Sequence, residues 1–142
     1  MFTFVLFLSQ VDYQICTYAT PAIDLIYALY YFLSTENRQN RRGEFISSYY
    51  TQFSESLKQF GYMKPPPSLI DLQVELLRNG NLEVLLAVCH SVMFYCDFST
   101  MTAEDMDQGE GTKKFLKRLH NNPDFKAMIQ KELPRFLTNG FI

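Results

Sequence analysis

Near the start of the chain, Phe2-Thr-Phe-Val-Leu-Phe-Leu8 is the one stretch that reads as a buried strand. A strand cannot stand alone, because its backbone donors and acceptors need a neighbour. No second convincing strand follows. Either residues 11–16 supply a short partner, or the sheet to which this strand belongs is missing from these 142 residues. The run is too short to cross a bilayer, which takes about 20 residues. It also has no lysine or arginine before it and no clear small-residue cleavage site after it, so neither a membrane anchor nor a secretory leader is expected.

Behind that strand, the spacing predicts six helices. Thr20 can cap a helix over residues 21–36, with Pro21 at its first position and Asp24 in its first turn. Ile23, Leu25, Ile26, Leu29, Tyr30, Phe32 and Leu33 cover more than one of its faces, which marks it as central. A second helix, 42–60, carries the stripe Phe45, Tyr49, Phe53, Leu57 and Phe60 and stops at Gly61. Pro65-Pro66-Pro67 forbids helix. Ser68 and Asp71 then form a capping box for a helix over 68–79 with Ile70, Val74 and Leu77 inward. A fourth helix spans 82–95, capped by Asn81 and apolar on most sides. The acidic, glycine-flanked stretch 97–110 reads as a mobile loop. Helices over 112–121 and 123–138 follow, the first with Phe115, Leu116 and Leu119 inward, the second bent or restarted at Pro134.

Composition excludes several classes. Apolar residues make up 47% and charged residues 20%, which argues for a packed domain and against disorder. Residues 1–71 carry 5 basic and 6 acidic side chains, and residues 72–142 carry 8 and 9, so no basic domain for nucleic acid exists. Lys113, Lys114, Lys117 and Arg118 read as a solvated face balancing the acids before them. The three cysteines, Cys16, Cys89 and Cys96, make no disulfide framework and suit a reducing, cytoplasmic setting. Cys89, His90 and Cys96 lack the fourth ligand of a zinc site. No glycine pattern for cradling phosphate occurs.

Chemistry concentrates in one segment, Val11-Asp12-Tyr13-Gln14 followed by Ala19-Thr20-Pro21-Ala22-Ile23-Asp24-Leu25. By residue type alone, Asp12 is an ordinary strand-end carboxylate and Asp24 a favourable first-turn anion. Together, the two halves resemble the Asp-aromatic-Gln and Pro-X-X-Asp-Leu segment of the insect ecdysteroid kinase-like proteins. These are also called CHK-kinase-like or juvenile-hormone-inducible proteins and are relatives of choline and aminoglycoside kinases. The resemblance extends more loosely over residues 5–140. It implies a mainly α fold, the helical carboxyl-terminal lobe of a protein-kinase-like domain with a strand or hairpin over 2–16. It also implies Mg²⁺ and ATP as cofactors of the full-length family and a small lipophilic alcohol, such as an ecdysteroid, as phosphoryl acceptor.

Carried over residue by residue, the resemblance makes Asp12 the magnesium ligand, a hard oxygen donor of the kind that ion requires. Gln14 lies on the same strand side as Asp12. Asp24 organises the catalytic loop by accepting backbone hydrogen bonds, with Pro21 fixing local geometry. The acceptor pocket is expected among the helices, with Tyr27, Tyr30, Tyr31, Phe94 and Tyr95 as candidate linings; packing in the core is the plainer role for the same side chains.

The family's His-Gly-Asp catalytic loop should precede Asp12, yet the first eleven residues hold no His, Gly, Asp or Asn. Phosphoryl transfer needs positioned phosphates, metal and an acceptor-orienting base together. The expectation is therefore a chain that is inactive by itself and binds ATP weakly or not at all. The competing expectation is a non-catalytic helical domain that binds a ligand or a partner.

Overall fold

The computed structural model describes residues 18–106 and 109–142, and the expected strand or hairpin over 2–16 lies outside them. Among the described residues there are seven α-helices and no strand, so the fold is mainly α.

Helix α1 (Pro21–Tyr31) begins as its sequence dictates. Thr20 is extended, its hydroxyl accepts from the Ala22 N–H at 3.4 Å, and Pro21 takes the first position. The helix stops five residues short of the expected end. Ser34 is itself a strong helix starter, and its extended backbone and its bond from the Asn37 N–H open a new helix, α2 (Thr35–Asn40). Local capping at Ser34 overrides the continuing apolar pattern.

Helix α3 (Arg42–Gln59) closes as expected at Gly61, whose φ of 74° is the left-handed conformation that favours glycine. Its aromatic stripe is graded rather than uniform. Phe45, Tyr49 and Phe53 lie half-buried and Phe60 is exposed, while the deepest residue is Ile46.

Helix α4 (Leu69–Arg78) opens with the expected capping box. The Asp71 N–H donates to Ser68 Oγ at 3.1 Å, and the Ser68 N–H donates to Asp71 Oδ2 at 2.8 Å. Its inward face differs from the expected one. Leu72 and Leu76 are 7% and 5% exposed, whereas Ile70 is 70% exposed and Val74 and Leu77 also face outward. Both sets obey helical spacing. Packing against α1 selects the Leu69, Leu72, Leu76 face.

Helix α5 (Gly80–Leu85) starts directly after Asn79, so Asn81 lies inside it and does not cap it. The expected helix over 82–95 changes pitch twice. It widens into a π turn over Leu86–His90 and tightens to a 3₁₀ turn over Ser91–Tyr95. The acidic stretch is built of short turns at Phe98–Thr100 and Ala103–Met106. Asp97 accepts from the Ser99 N–H at 3.0 Å and Asp105 from the Thr102 N–H at 2.9 Å, so these carboxylates serve local backbone.

Helix α6 (Glu110–His120) buries Phe115 and Leu119 but leaves Leu116 exposed. Helix α7 (Pro123–Thr138) runs through Pro134 without restarting, and its buried line is Phe125, Met128, Glu132 and Phe136.

Two apolar clusters result. The larger surrounds α1, whose Ala22, Leu25, Ile26, Leu29 and Tyr30 meet Ile46, Leu72, Leu76, Leu86, Ala87 and Phe136. The smaller joins Val92, Phe115, Leu119, Phe125 and Met128, and Ile129 touches both.

Candidate functional site

Where α1 ends and α2 begins, the chain folds back on itself and leaves a pocket of about 380 Å³. Tyr30 and Tyr31 come from the last turn of α1, Ser34 and Thr35 from the bend, and Arg38 from α2. Ser91, Phe94 and Tyr95 come from the 3₁₀ turn, and Met128 of α7 closes the set. Thus four of the five candidate aromatic residues, Tyr30, Tyr31, Phe94 and Tyr95, line one cavity. The fifth, Tyr27, lies one turn earlier and stacks on Tyr31 with ring centroids 6.0 Å apart. Phe94 meets Tyr31 edge to face at 5.9 Å. At the rim, the Tyr31 hydroxyl and His90 Nδ1 share a hydrogen bond of 2.8 Å.

Beneath the aromatic wall lies a charged cluster that spacing along the chain did not reveal. Arg38 and Glu132 are almost fully buried and pair through Nε at 3.0 Å. Arg135 contacts Glu132 at 3.1 Å and Glu83 at 2.8 Å, and Arg42 also pairs with Glu83. Tyr30 is tied into the same cluster. Its hydroxyl accepts from Arg135 Nη2 at 2.9 Å and donates to Glu83 at 3.4 Å, and its ring lies 4.2 Å beneath the Arg38 guanidinium.

Burial, then the Glu83 and Glu132 carboxylates, push the Tyr30 phenol well above its ordinary range, against a smaller opposing pull from Arg135 and Arg38. It stays neutral and donates. Burial works against the Arg135 charge, but Glu83, Tyr30 and Glu132 outweigh it and its pKa is raised. For Arg42 burial prevails over Glu83 and the pKa is lowered. Its Nη1 is buried without a hydrogen-bond partner.

Asp24 is exposed in the first turn of α1, and its charge adds to burial in raising the Tyr49 phenol. Pro21 occupies the first position of the same helix. Asp12 and Gln14 lie outside the described residues, as does Cys16. Among the described residues no group of three or more His, Cys, Asp or Glu side chains is placed to hold a metal ion. Asp24 alone does not make a magnesium site. Cys89 is exposed and Cys96 half-buried, and both are free thiols. No described helix is long and apolar enough to cross a membrane.

Against known proteins, residues 7–62 match the family model of the ecdysteroid kinase-like family. No curated protein and no solved structure matches the chain. The matched segment takes in Asp12, Gln14, Pro21 and Asp24 and continues through α1, α2 and α3. Over residues 7–62, then, the chain is similar to the ecdysteroid kinase-like family.

Proposed function

We propose that the chain forms the helical, acceptor-binding part of an ecdysteroid kinase-like phosphotransferase. The observation that carries the reading is the aromatic pocket at the α1–α2 bend. Its volume of about 380 Å³ falls in the range of small-molecule sites, and its walls combine flat apolar rings with a few hydroxyls. In this reading the acceptor is a small lipophilic alcohol of the ecdysteroid class, and the phosphoryl donor is ATP with Mg²⁺. Asp12 is the metal ligand, Gln14 lies beside it, and Asp24 with Pro21 holds the adjoining loop. The free thiols and the lack of an Asn-X-Ser/Thr sequon support a cytoplasmic setting.

The 142 residues contain no His-Gly-Asp sequence and no glycine-rich phosphate loop. Transfer requires those parts in place at once. The proposed chain therefore binds the alcohol and does not phosphorylate it unaided. Calorimetry with Mg²⁺ and ATP is expected to show no micromolar binding. Ecdysone is expected to quench the tyrosine fluorescence saturably, a clean signal because the chain has no tryptophan. Phe94→Ala is expected to weaken that binding. Failure of ecdysone to bind, or indifference to Phe94→Ala, would sink the reading.

The absence of transfer residues, set beside an intact pocket, favours one second reading, a non-catalytic domain that only binds a hydrophobic ligand. The two diverge at Asp12. Paramagnetic broadening by Mn²⁺ centred on residues 12 and 24 supports the kinase-derived reading, and broadening scattered over the acids of residues 97–110 supports the other.

A further inference from the structure

Ser91 is a polar residue of the pocket wall whose hydroxyl is free to meet a ligand. It is only 5% exposed, it lines the cavity, and no described residue hydrogen-bonds its hydroxyl. The neighbouring hydroxyls differ. Ser34 accepts from the Asn37 N–H, and Thr35 accepts from Arg38 Nη2 at 3.5 Å. The Ser91 oxygen opens onto the cavity, so a ligand acceptor entering there can take its hydrogen bond in place of water.

Which atom the ligand must offer follows from the remaining wall. Arg38, 3% exposed, lines the same cavity and can only donate hydrogen bonds. It belongs to a cluster of three guanidiniums (Arg38, Arg42, Arg135) against two carboxylates (Glu83, Glu132), which carries one net positive charge. Tyr30 adds no negative charge, since its phenol stays protonated. The field at this end of the pocket therefore disfavours a ligand N–H donor and favours an oxygen acceptor. Around that point the surfaces are flat rings, Tyr31, Phe94 and Tyr95, which suit a rigid, planar or near-planar hydrocarbon body.

We propose that Ser91 anchors the bound molecule by donating a hydrogen bond to a carbonyl or carboxylate oxygen at the molecule's buried end, with its apolar body held among Tyr31, Phe94 and Tyr95. This rests on the pocket being the acceptor site and adds to it a specificity. The substrate is an oxygenated lipophile whose inner end accepts a hydrogen bond, and any hydroxyl to be phosphorylated lies elsewhere on it.

Three matched naphthalene probes test the anchor on the full chain by ligand-observed nuclear magnetic resonance: 2-acetylnaphthalene, 2-naphthoate and 2-ethylnaphthalene. The ketone is expected to bind about five- to tenfold more tightly than the ethyl compound, the ratio one buried neutral hydrogen bond supplies. Ser91→Ala is expected to erase that ratio while leaving the ethyl compound's affinity unchanged. Phe94→Ala should weaken ketone and hydrocarbon alike. The carboxylate arm sorts the two oxygen sources: naphthoate above ketone selects an anionic partner, and ketone above naphthoate a neutral one. Equal binding of ketone and hydrocarbon, or a ketone affinity unmoved by Ser91→Ala, overturns the anchor and leaves the acceptor pocket standing. No binding by any probe overturns both.

Discussion

At the scale of single residues, the least expected feature is the buried charge cluster. Breaking one buried ion pair leaves its partner charged and unsolvated, a loss of about 3–5 kcal/mol. Glu132→Gln strips Arg38 of its main partner and is expected to fall in that range, read as a lower urea midpoint with an unchanged slope. Gly80 gives a second residue-scale test. The Phe141 ring occupies the space where a Cβ on Gly80 would sit. Gly80→Ala must displace that ring and is expected to destabilise by about 1–3 kcal/mol. Adding Phe141→Ala should make the double variant less damaged than the sum of the singles, which denaturant titration of all four proteins checks. Neither feature was legible in the sequence. Residues 38, 83, 132 and 135 are far apart in the chain except for the last two, and nothing local marks their meeting. Gly80 carries a negative φ and a helical role, so it gives no turn signal to read.

At the scale of elements, what was legible was local chemistry. Thr20-Pro21 and Ser68 with Asp71 each begin a helix where their side chains can satisfy exposed N–H groups, and the last helix starts at Pro123, with the Asn122 cap seen only in the structure. The choice of face was not legible where two stripes coexist. Leu72→Ala and Leu76→Ala are expected to cost about 2–5 kcal/mol each. Ile70→Ala should cost within about 0.5 kcal/mol, since it leaves only surface; thermal melts of the three variants check the contrast. The capping box also has a pH signature. Hydrogen bonds from the Ser68 hydroxyl and N–H hold the Asp71 carboxyl below its ordinary value of 3.8. Its contribution is thus complete above that value and disappears as pH falls through the lower folded value. Asp71→Asn is expected to lower the melting temperature at neutral pH and to converge with the wild type near about pH 2, where both side chains are uncharged.

For the whole molecule, α7 links the two apolar clusters. Phe136 belongs to the larger, Phe125 and Met128 to the smaller, and Ile129 touches both. Unfolding is therefore expected to be a single transition, with circular dichroism and tyrosine fluorescence tracing coincident curves; separated midpoints would show two units. The helical class was legible because four of the expected helix bodies rest on strong periodicity or caps. The pocket was half legible: the aromatic residues stood out, but Ser91, Arg38 and Met128 reach it from segments whose relative placement only packing sets.

The bend after Tyr31 has a consequence for how such a pocket can change. In an unbroken helix, residues 30 and 38 would stand about 12 Å apart along the axis. The elbow at residues 32–34 instead lays the Arg38 guanidinium 4.2 Å over the Tyr30 ring. Three linker residues therefore work as the jaw of a calliper. Lengthening or shortening them would resize the cavity, with Leu33, which packs on the larger core, setting how far the jaw can move.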